Sequence, residues 1–245
     1  MTVKEYLLNK MSEGTLHMAL LDPDKQPAEE AGEIARHMKD AGSDAVMIGG
    51  STGVTRENLS ETAKAIKEKS GLPTIYFPSN PKALNTDIDS LFFMSLMNSN
   101  ELNWVIRAQV WAAPYIRKMG IETMSMGYIV VEPGMKVGQV GKAELVGHDD
   151  IEKAVSYAMA CEMFGMDFAY LEAGSGADRP ISPEMIAAVK QAIDIPLFVG
   201  GGIRTPEAAE AARKAGADVI VTGTFIEQCH DDDRLRAVVK AAKGL

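Results

Sequence analysis

Eight short apolar runs recur along the chain, with amphipathic, helix-favouring stretches between most of them. They are His17–Leu21, Ala45–Gly49, Thr74–Pro78, Leu91–Met97, Thr123–Val131, Phe168–Glu172, Leu197–Gly200 and Val219–Thr222. Strands that alternate with helices pair in parallel, because a crossover helix carries the chain back to the starting end. The segments AGSDAVMIGG (41–50), FGMDFAYLEAG (164–174) and AGADVIVTG (215–223) echo one another. Each has a helix-ending glycine, an aspartate, then a buried strand closing on glycine. Eight such units favour a closed (β/α)8 barrel over an open sheet. Helix starts are legible as well: Ser182-Pro183-Glu184 and Thr205-Pro206-Glu207 set a capping hydroxyl before a proline, and Thr55 caps with Asn58 at the third position.

One unit breaks the pattern. Between Asn80 and Leu91 lie only PKALNTDID and a serine, too short for a normal crossover helix. The third outer helix is therefore expected to be missing or replaced by an extended segment. The next strand would bring Leu91, Phe92, Phe93, Met94, Leu96 and Met97 to the slot left in the wall. That slot is either packed over by neighbours or left as a long apolar groove. Met124 and Met126 are further candidates for its lining, and Trp104 for its end.

With 245 residues and 46% hydrophobic content the chain can bury a full core, and no linker or charge block divides it. One domain over residues 1–245 is expected. A net charge of −9 argues against nucleic acid and predicts repulsion from anionic membranes. No apolar run is long enough for a transmembrane segment, and the first residues lack the apolar core of a signal peptide. Cys161 and Cys229 form no CxxC and read as buried thiols of a reducing, cytoplasmic setting. His17, His37, His148 and His230 are scattered without metal-ligand spacing; His37 and His230 read as helix or loop residues. Exposed apolar helix faces would make the protein a homo-oligomer.

Three of the late strands end in glycine clusters: LEAGSG (171–176), FVGGGI (198–203) and VTGTF (221–225). Glycine lets backbone N–H groups approach an anion without a Cβ in the way, and a following helix adds its dipole. Side by side in a barrel, the three would form a phosphate cup; singly, each could be only a tight turn. Asp22 and Asp24 in LLDPDK stand where barrel chemistry sits and offer hard oxygen ligands for Mg²⁺ shared with substrate phosphates. The alternative is that they cap the following helix, the expected role of Asp24. Ser51 and Thr52 supply hydroxyls as metal ligands or phosphate donors. Glu172, beside Tyr170 and just before the glycines, is placed to orient and deprotonate a substrate hydroxyl; the alternative is a salt-bridged structural glutamate. Tyr128 and Glu132 are expected to face the same site, and the EPGMKVGQVGKAEL stretch is a candidate lid.

At these residues the chain resembles the geranylgeranylglyceryl phosphate synthase family and its bacterial relatives that use other prenyl chains. The matching segments are LLDPDK, IGGSTGVT, YFPSNP, YIVVEPGMKVG, YLEAGSG, FVGGGIRTPE and VTGTFIE, in order over almost the whole chain. The resemblance implies a TIM barrel with Mg²⁺ as cofactor, and sn-glycerol 1-phosphate and a prenyl diphosphate as partners. The geranylgeranyl group would pass from its diphosphate to the 3-hydroxyl of the glycerol phosphate, an early step of ether-lipid synthesis. It implies that Asp22 and Ser51 hold the metal. Tyr170, Leu171, Glu172, Ala173, Gly174, Ser175, Gly176, Gly201, Gly202, Gly223 and Thr224 would hold glycerol phosphate, with Tyr128 nearby. Glu172 and Tyr170 would be catalytic. One branch of the family carries a lysine where this chain has Leu20, so that phosphate contact is absent. A different prenyl length, or a non-catalytic prenyl-phosphate binder, remains as an alternative; a binder would need neither the metal pair nor Glu172.

Overall fold

In the computed structural model, residues 1–228 and 232–245 are described; Cys229 and His230 lie outside them. The chain opens with α1 (Val3–Met11) and β1 (Leu16–Leu21), then α2 (Ala28–Ala41), β2 (Ala45–Ile48), α3 (Arg56–Ser70), β3 (Thr74–Tyr76) and β4 (Ser90–Leu96). It continues through α4 (Ala108–Met119), β5 (Glu122–Val130), α5 (Met135–Val140), α6 (Ile151–Met163) and β6 (Phe168–Glu172). It ends with α7 (Pro183–Ala192), β7 (Leu197–Gly200), α8 (Pro206–Lys214), β8 (Val219–Thr222), α9 (Thr224–Gln228) and α10 (Asp232–Lys243). The eight strands pair in sequence order, all parallel, and β8 closes on β1. All eight apolar runs are strands.

Strand alternation sorts the side chains into two layers. Met18, Met47, Ile75, Phe92, Met124, Met126, Phe168 and Phe198 fill the barrel interior, while their strand neighbours pack outward against the helices. Met124 and Met126 are therefore interior core rather than groove. The interior aromatics pack tightly: Phe168 and Phe198 centroids are 5.1 Å apart, and Tyr128 meets Tyr170 edge-to-face at 5.0 Å nearer the strand ends. Helix α1 closes the opposite end. Its first free N–H groups, of Val3 and Lys4, donate to the Glu122 carboxylate at 2.7 and 2.8 Å, and Leu7 joins the interior layer.

The third crossover holds one 3₁₀ turn, Pro81–Ala83, where the other units carry a helix. The expected slot in the wall is present. Ser182, Thr205 and Thr55 cap as the sequence indicates, accepting from Met185, Ala208 and Asn58 N–H. Helix α2 instead begins after Pro27 with no side-chain cap, so neither Asp22 nor Asp24 caps it. A π-helical stretch, Asn103–Arg107, leads into α4 and was not anticipated. Cys161 on α6 is buried against Gly127, where a Cβ would overlap its Sγ, and burial pushes its thiol up to about 12.

Candidate active site

The glycine clusters converge at the C-terminal end of β6, β7 and β8. Together they form a small open cup, walled by Ser175, Gly176, Gly201, Gly202, Gly223 and Thr224 with Tyr170 and Glu172. Gly176, Gly201 and Gly202 have φ of 81, 86 and 74°, the left-handed region that suits glycine. Arg204 fixes one rim by donating to the carbonyls of Gly176 and Ala177, the latter at 2.8 Å. The hydroxyls of Ser175 and Thr224 join β6 to β8 across the cup.

Leu171 and Ala173 do not reach it. They sit on the outward-facing layer of β6, fully buried against the helices, and the Ala173 N–H is spent on the Gly200 carbonyl at 3.1 Å. Gly174 is spent too, because its N–H donates to Glu172 Oε1 at 2.7 Å. The hydroxyls of Tyr128 and Tyr170 face the same carboxylate and favour its charged form. Glu172 is only 6% exposed and makes no salt bridge among the described residues. Burial raises its pKa, while the Gly174 N–H and the two tyrosine hydroxyls oppose that shift. Burial, then the Glu172 charge, lifts both tyrosines well above their usual range, so they stay protonated donors. The result is a carboxylate held in one orientation with basicity above that of a free glutamate.

A second cleft of about 1020 Å³ adjoins the cup and shares Glu172, Ser175, Gly176, Gly223 and Thr224 with it. Its far wall carries Asp22, Ser51 and Tyr128. The Asp22 carboxylate lies where a Cβ on Gly50 would stand, directly before Ser51. Asp24 is exposed and rests in the same way against Gly53, outside the cleft lining. Burial raises the Asp22 pKa; the Asp24 N–H and Lys25 oppose the rise, and Glu227 and Asp24 add to it. No group of three or more His, Cys, Asp or Glu side chains that could hold a metal occurs among the described residues. One carboxylate and one hydroxyl suit Mg²⁺, which keeps most of its shell for waters and phosphate oxygens, and an under-compensated Asp22 is a fitting ligand.

Glu132 is not part of this assembly. It lies past the end of β5, exposed, and accepts from the His148 N–H at 3.2 Å. Four residues that the sequence reading passed over belong here. Glu227, on α9, binds the Asp22 N–H at 3.0 Å and Lys25 Nζ at 2.6 Å. Lys25 and Lys136 line the cleft, and Arg204 lines the cup. All four lie inside segments quoted above, LLDPDK, YIVVEPGMKVG, FVGGGIRTPE and VTGTFIE, but the groups they meet across the barrel do not show in the sequence.

The slot in the wall is an apolar groove of about 570 Å³. Leu91, Phe92, Phe93, Met94 and Leu96 line it from β4, with Trp104, Ala112 and Ile116 beside them; Met97 packs elsewhere. Phe77 lines the cleft, edge-on to Tyr128 at 5.1 Å and to the groove residue Phe92 at 6.3 Å.

Residues 9–242 match the model of the PcrB family. This chain belongs to the PcrB family. Among PcrB-like relatives, the geranylgeranylglyceryl phosphate synthase of Methanococcoides burtonii is 48% identical over 99% of this chain and 100% of its own length. The crystal structure of the Thermoplasma acidophilum enzyme of that name, in complex with sn-glycerol-1-phosphate, superposes with a TM-score of 0.96 at 44% identity, covering all of both chains. The wild-type enzyme from Thermoplasma volcanium gives 0.95 at 40%, covering 100% of this chain and 99% of that one. The resemblance read from the sequence motifs is thus borne out.

Proposed function

We propose that this chain is a prenyltransferase that moves a geranylgeranyl group from geranylgeranyl diphosphate to the 3-hydroxyl of sn-glycerol 1-phosphate, with Mg²⁺ as cofactor. The observation that carries the reading is the position of Glu172, whose carboxylate borders both the glycine cup and the cleft, while Phe77 of the cleft packs against Phe92 of the apolar groove. The names of the relatives, and the sn-glycerol-1-phosphate bound by one of them, support the same reading.

The acceptor phosphate sits against the backbone of Gly176, Gly202, Gly223 and Thr224, which leaves its hydroxyls under Glu172. Pinned by the Gly174 N–H, with Tyr128 and Tyr170 beside it, the carboxylate orients the 3-hydroxyl and takes its proton as oxygen bonds to C1 of the prenyl chain. The bond from C1 to the diphosphate breaks, and its electron pair leaves with the diphosphate. Asp22 and Ser51 would hold Mg²⁺; when bound, it neutralises charge on that leaving group. The chain lies in the groove, where each buried methylene contributes ~0.8 kcal/mol.

The whole chain, 1–245, acts as one catalytic domain, and a different prenyl length remains the closest alternative. The exposed Leu102, Ile106, Val110, Trp111 and Tyr115 before and along α4 support a homo-oligomer. No helix among the described residues is long and apolar enough to cross a membrane, and a cytoplasmic location accords with that. The test is to incubate the purified protein with Mg²⁺, sn-glycerol 1-phosphate and prenyl diphosphates of graded length, and to identify products by mass. The C20 ether is the expected main product; no prenylated product from any donor would overturn the reading.

A further inference from the structure

The cleft holds three carboxylates, Asp22, Glu172 and Glu227, and two lysines, Lys25 and Lys136. A prenyl diphosphate brings a polyanion into this acidic surrounding, and the family's alternative lysine is here Leu20. Lys25 is already neutralised: its Nζ lies 2.6 Å from Glu227 and 4.0 Å from Asp22. Lys136 has no carboxylate partner among the described residues. Its ammonium donates to the neutral hydroxyl of Thr52 at 2.6 Å, across the barrel mouth from α5 to the loop after β2.

The backbone that carries Lys136 is fixed. Gly134 donates to the Ala173 carbonyl at 2.9 Å, and a Cβ on Gly174 would overlap the Met135 side chain. Met135 itself has φ of 42°, an unfavourable conformation for a residue with a side chain. The stretch expected to be a mobile lid is thus hung from the end of β6, the strand that bears Glu172. The Lys136 side chain is exposed, and its partner Thr52 directly follows Ser51.

We propose that Lys136 grips the diphosphate of the prenyl donor, with Thr52 as its resting partner when no donor is bound. The proposal rests on the prenyl-transfer reading. An ammonium bonds more strongly to a phosphate oxygen than to a neutral hydroxyl, so the incoming diphosphate draws Lys136 from Thr52 onto itself. The diphosphate would then be held from two sides, by the Mg²⁺ that Asp22 and Ser51 would carry and by Lys136, with C1 facing the cup.

The probe is inorganic pyrophosphate with Mg²⁺, measured by calorimetry and as an inhibitor, on wild type, Lys136→Gln, Lys136→Arg and Thr52→Val. Loss of one charge-assisted contact should weaken pyrophosphate, and raise the prenyl diphosphate KM, by about ten- to a hundred-fold in Lys136→Gln. The KM for sn-glycerol 1-phosphate and the melting temperature should hold, and Lys136→Arg should recover most of the affinity. Thr52→Val should bind pyrophosphate at least as well as wild type, because it removes a competitor. Unchanged pyrophosphate affinity in Lys136→Gln overturns the proposal. So does an equal loss in Thr52→Val, which would make the pair a structural latch. If wild type forms no prenyl ether while the pyrophosphate contrast persists, the transfer reading fails and the Lys136 anion contact stands.

Discussion

The carboxylate of Glu172 occupies the space in which a side chain at Gly201 would begin: a Cβ there would stand 2.5 Å from Oε1. The glycine at the end of β7 therefore serves two strands. It turns the chain with a φ of 86°, and it leaves room for the carboxylate on β6 to be held by the Gly174 N–H.

Gly201→Ala should lose on both counts. The left-handed backbone costs ~1–2 kcal/mol with a Cβ present, which lowers the melting temperature by roughly 2–8 °C for a chain of this size. Displacing Glu172 should also cut kcat, by on the order of 10²-fold. Calorimetric melting and steady-state kinetics on one preparation test both. A variant with wild-type kcat would show that the contact is incidental.

Gly223 contrasts with Gly201. It has no left-handed φ, and a Cβ there would meet only Leu20 atoms at ordinary contact distances of 3.5 and 3.6 Å. The fold tolerates a side chain; the acceptor phosphate does not. Gly223→Val should melt close to wild type while the sn-glycerol 1-phosphate KM rises about tenfold or more through lost backbone contact. A selective rise in the prenyl diphosphate KM instead would mean that the two anion sites are exchanged.

Asp22→Asn should reduce kcat by on the order of 10²-fold or more, because the metal's contribution amounts to several kcal/mol. The raised pKa of Asp22 means that its charged form is unfavourable in the folded protein above the usual carboxylate pKa. Without metal, Asp22→Asn should therefore melt no lower than wild type at neutral pH. Added Mg²⁺ should raise the melting temperature of wild type and not that of the variant. Asp24→Asn, altered outside the cleft, is the control with a smaller loss. Equal Mg²⁺ stabilisation of Asp22→Asn and wild type would remove Asp22 as the ligand.

The strands were legible because burial on two faces leaves continuous apolar runs, and the groove because a ten-residue crossover is too short for a helix. The cup was legible through its glycines. Leu171 and Ala173 were taken with their motif, although alternation from Tyr170 and Glu172 turns them outward. Glu132 looked like a site residue by its place after β5, but the chain has passed the rim and turned toward His148 there. Glu227 and Lys136 lie within VTGTFIE and YIVVEPGMKVG, but nothing nearby in the sequence shows what they meet. Their partners, Lys25 and Thr52, are 202 and 84 residues away in sequence, and only barrel closure brings them together.

His17 sets the acid limit of the fold. Fully buried between β1 and β8, its ring nitrogens meet Ser43 Oγ at 2.7 Å and Thr222 Oγ1 at 2.8 Å. Burial, reinforced by Lys243, lowers its pKa from 6.5 to about 3. The unfolded chain thus binds a proton that the folded one refuses, so this contribution is intact above pH 6.5 and is lost progressively as pH falls from 6.5 toward 3. Wild type should lose melting temperature between pH 6.5 and 4, and His17→Gln should show a shallower fall from a lower start. Parallel pH profiles would refute the assignment.

Glu172 decides whether the cup and groove make an enzyme or a binder. A positioned general base contributes ~10²–10⁴-fold in rate, and its raised pKa places the acid limb of kcat above the usual 4.5 of glutamate. The most direct measurement is single-turnover transfer by Glu172→Gln, saturated with geranylgeranyl diphosphate, sn-glycerol 1-phosphate and Mg²⁺, with acceptor affinity followed by calorimetry. The expected result is a rate lower by about that factor, no acid limb, and acceptor affinity within a few-fold of wild type. Transfer at the wild-type rate would contradict the account.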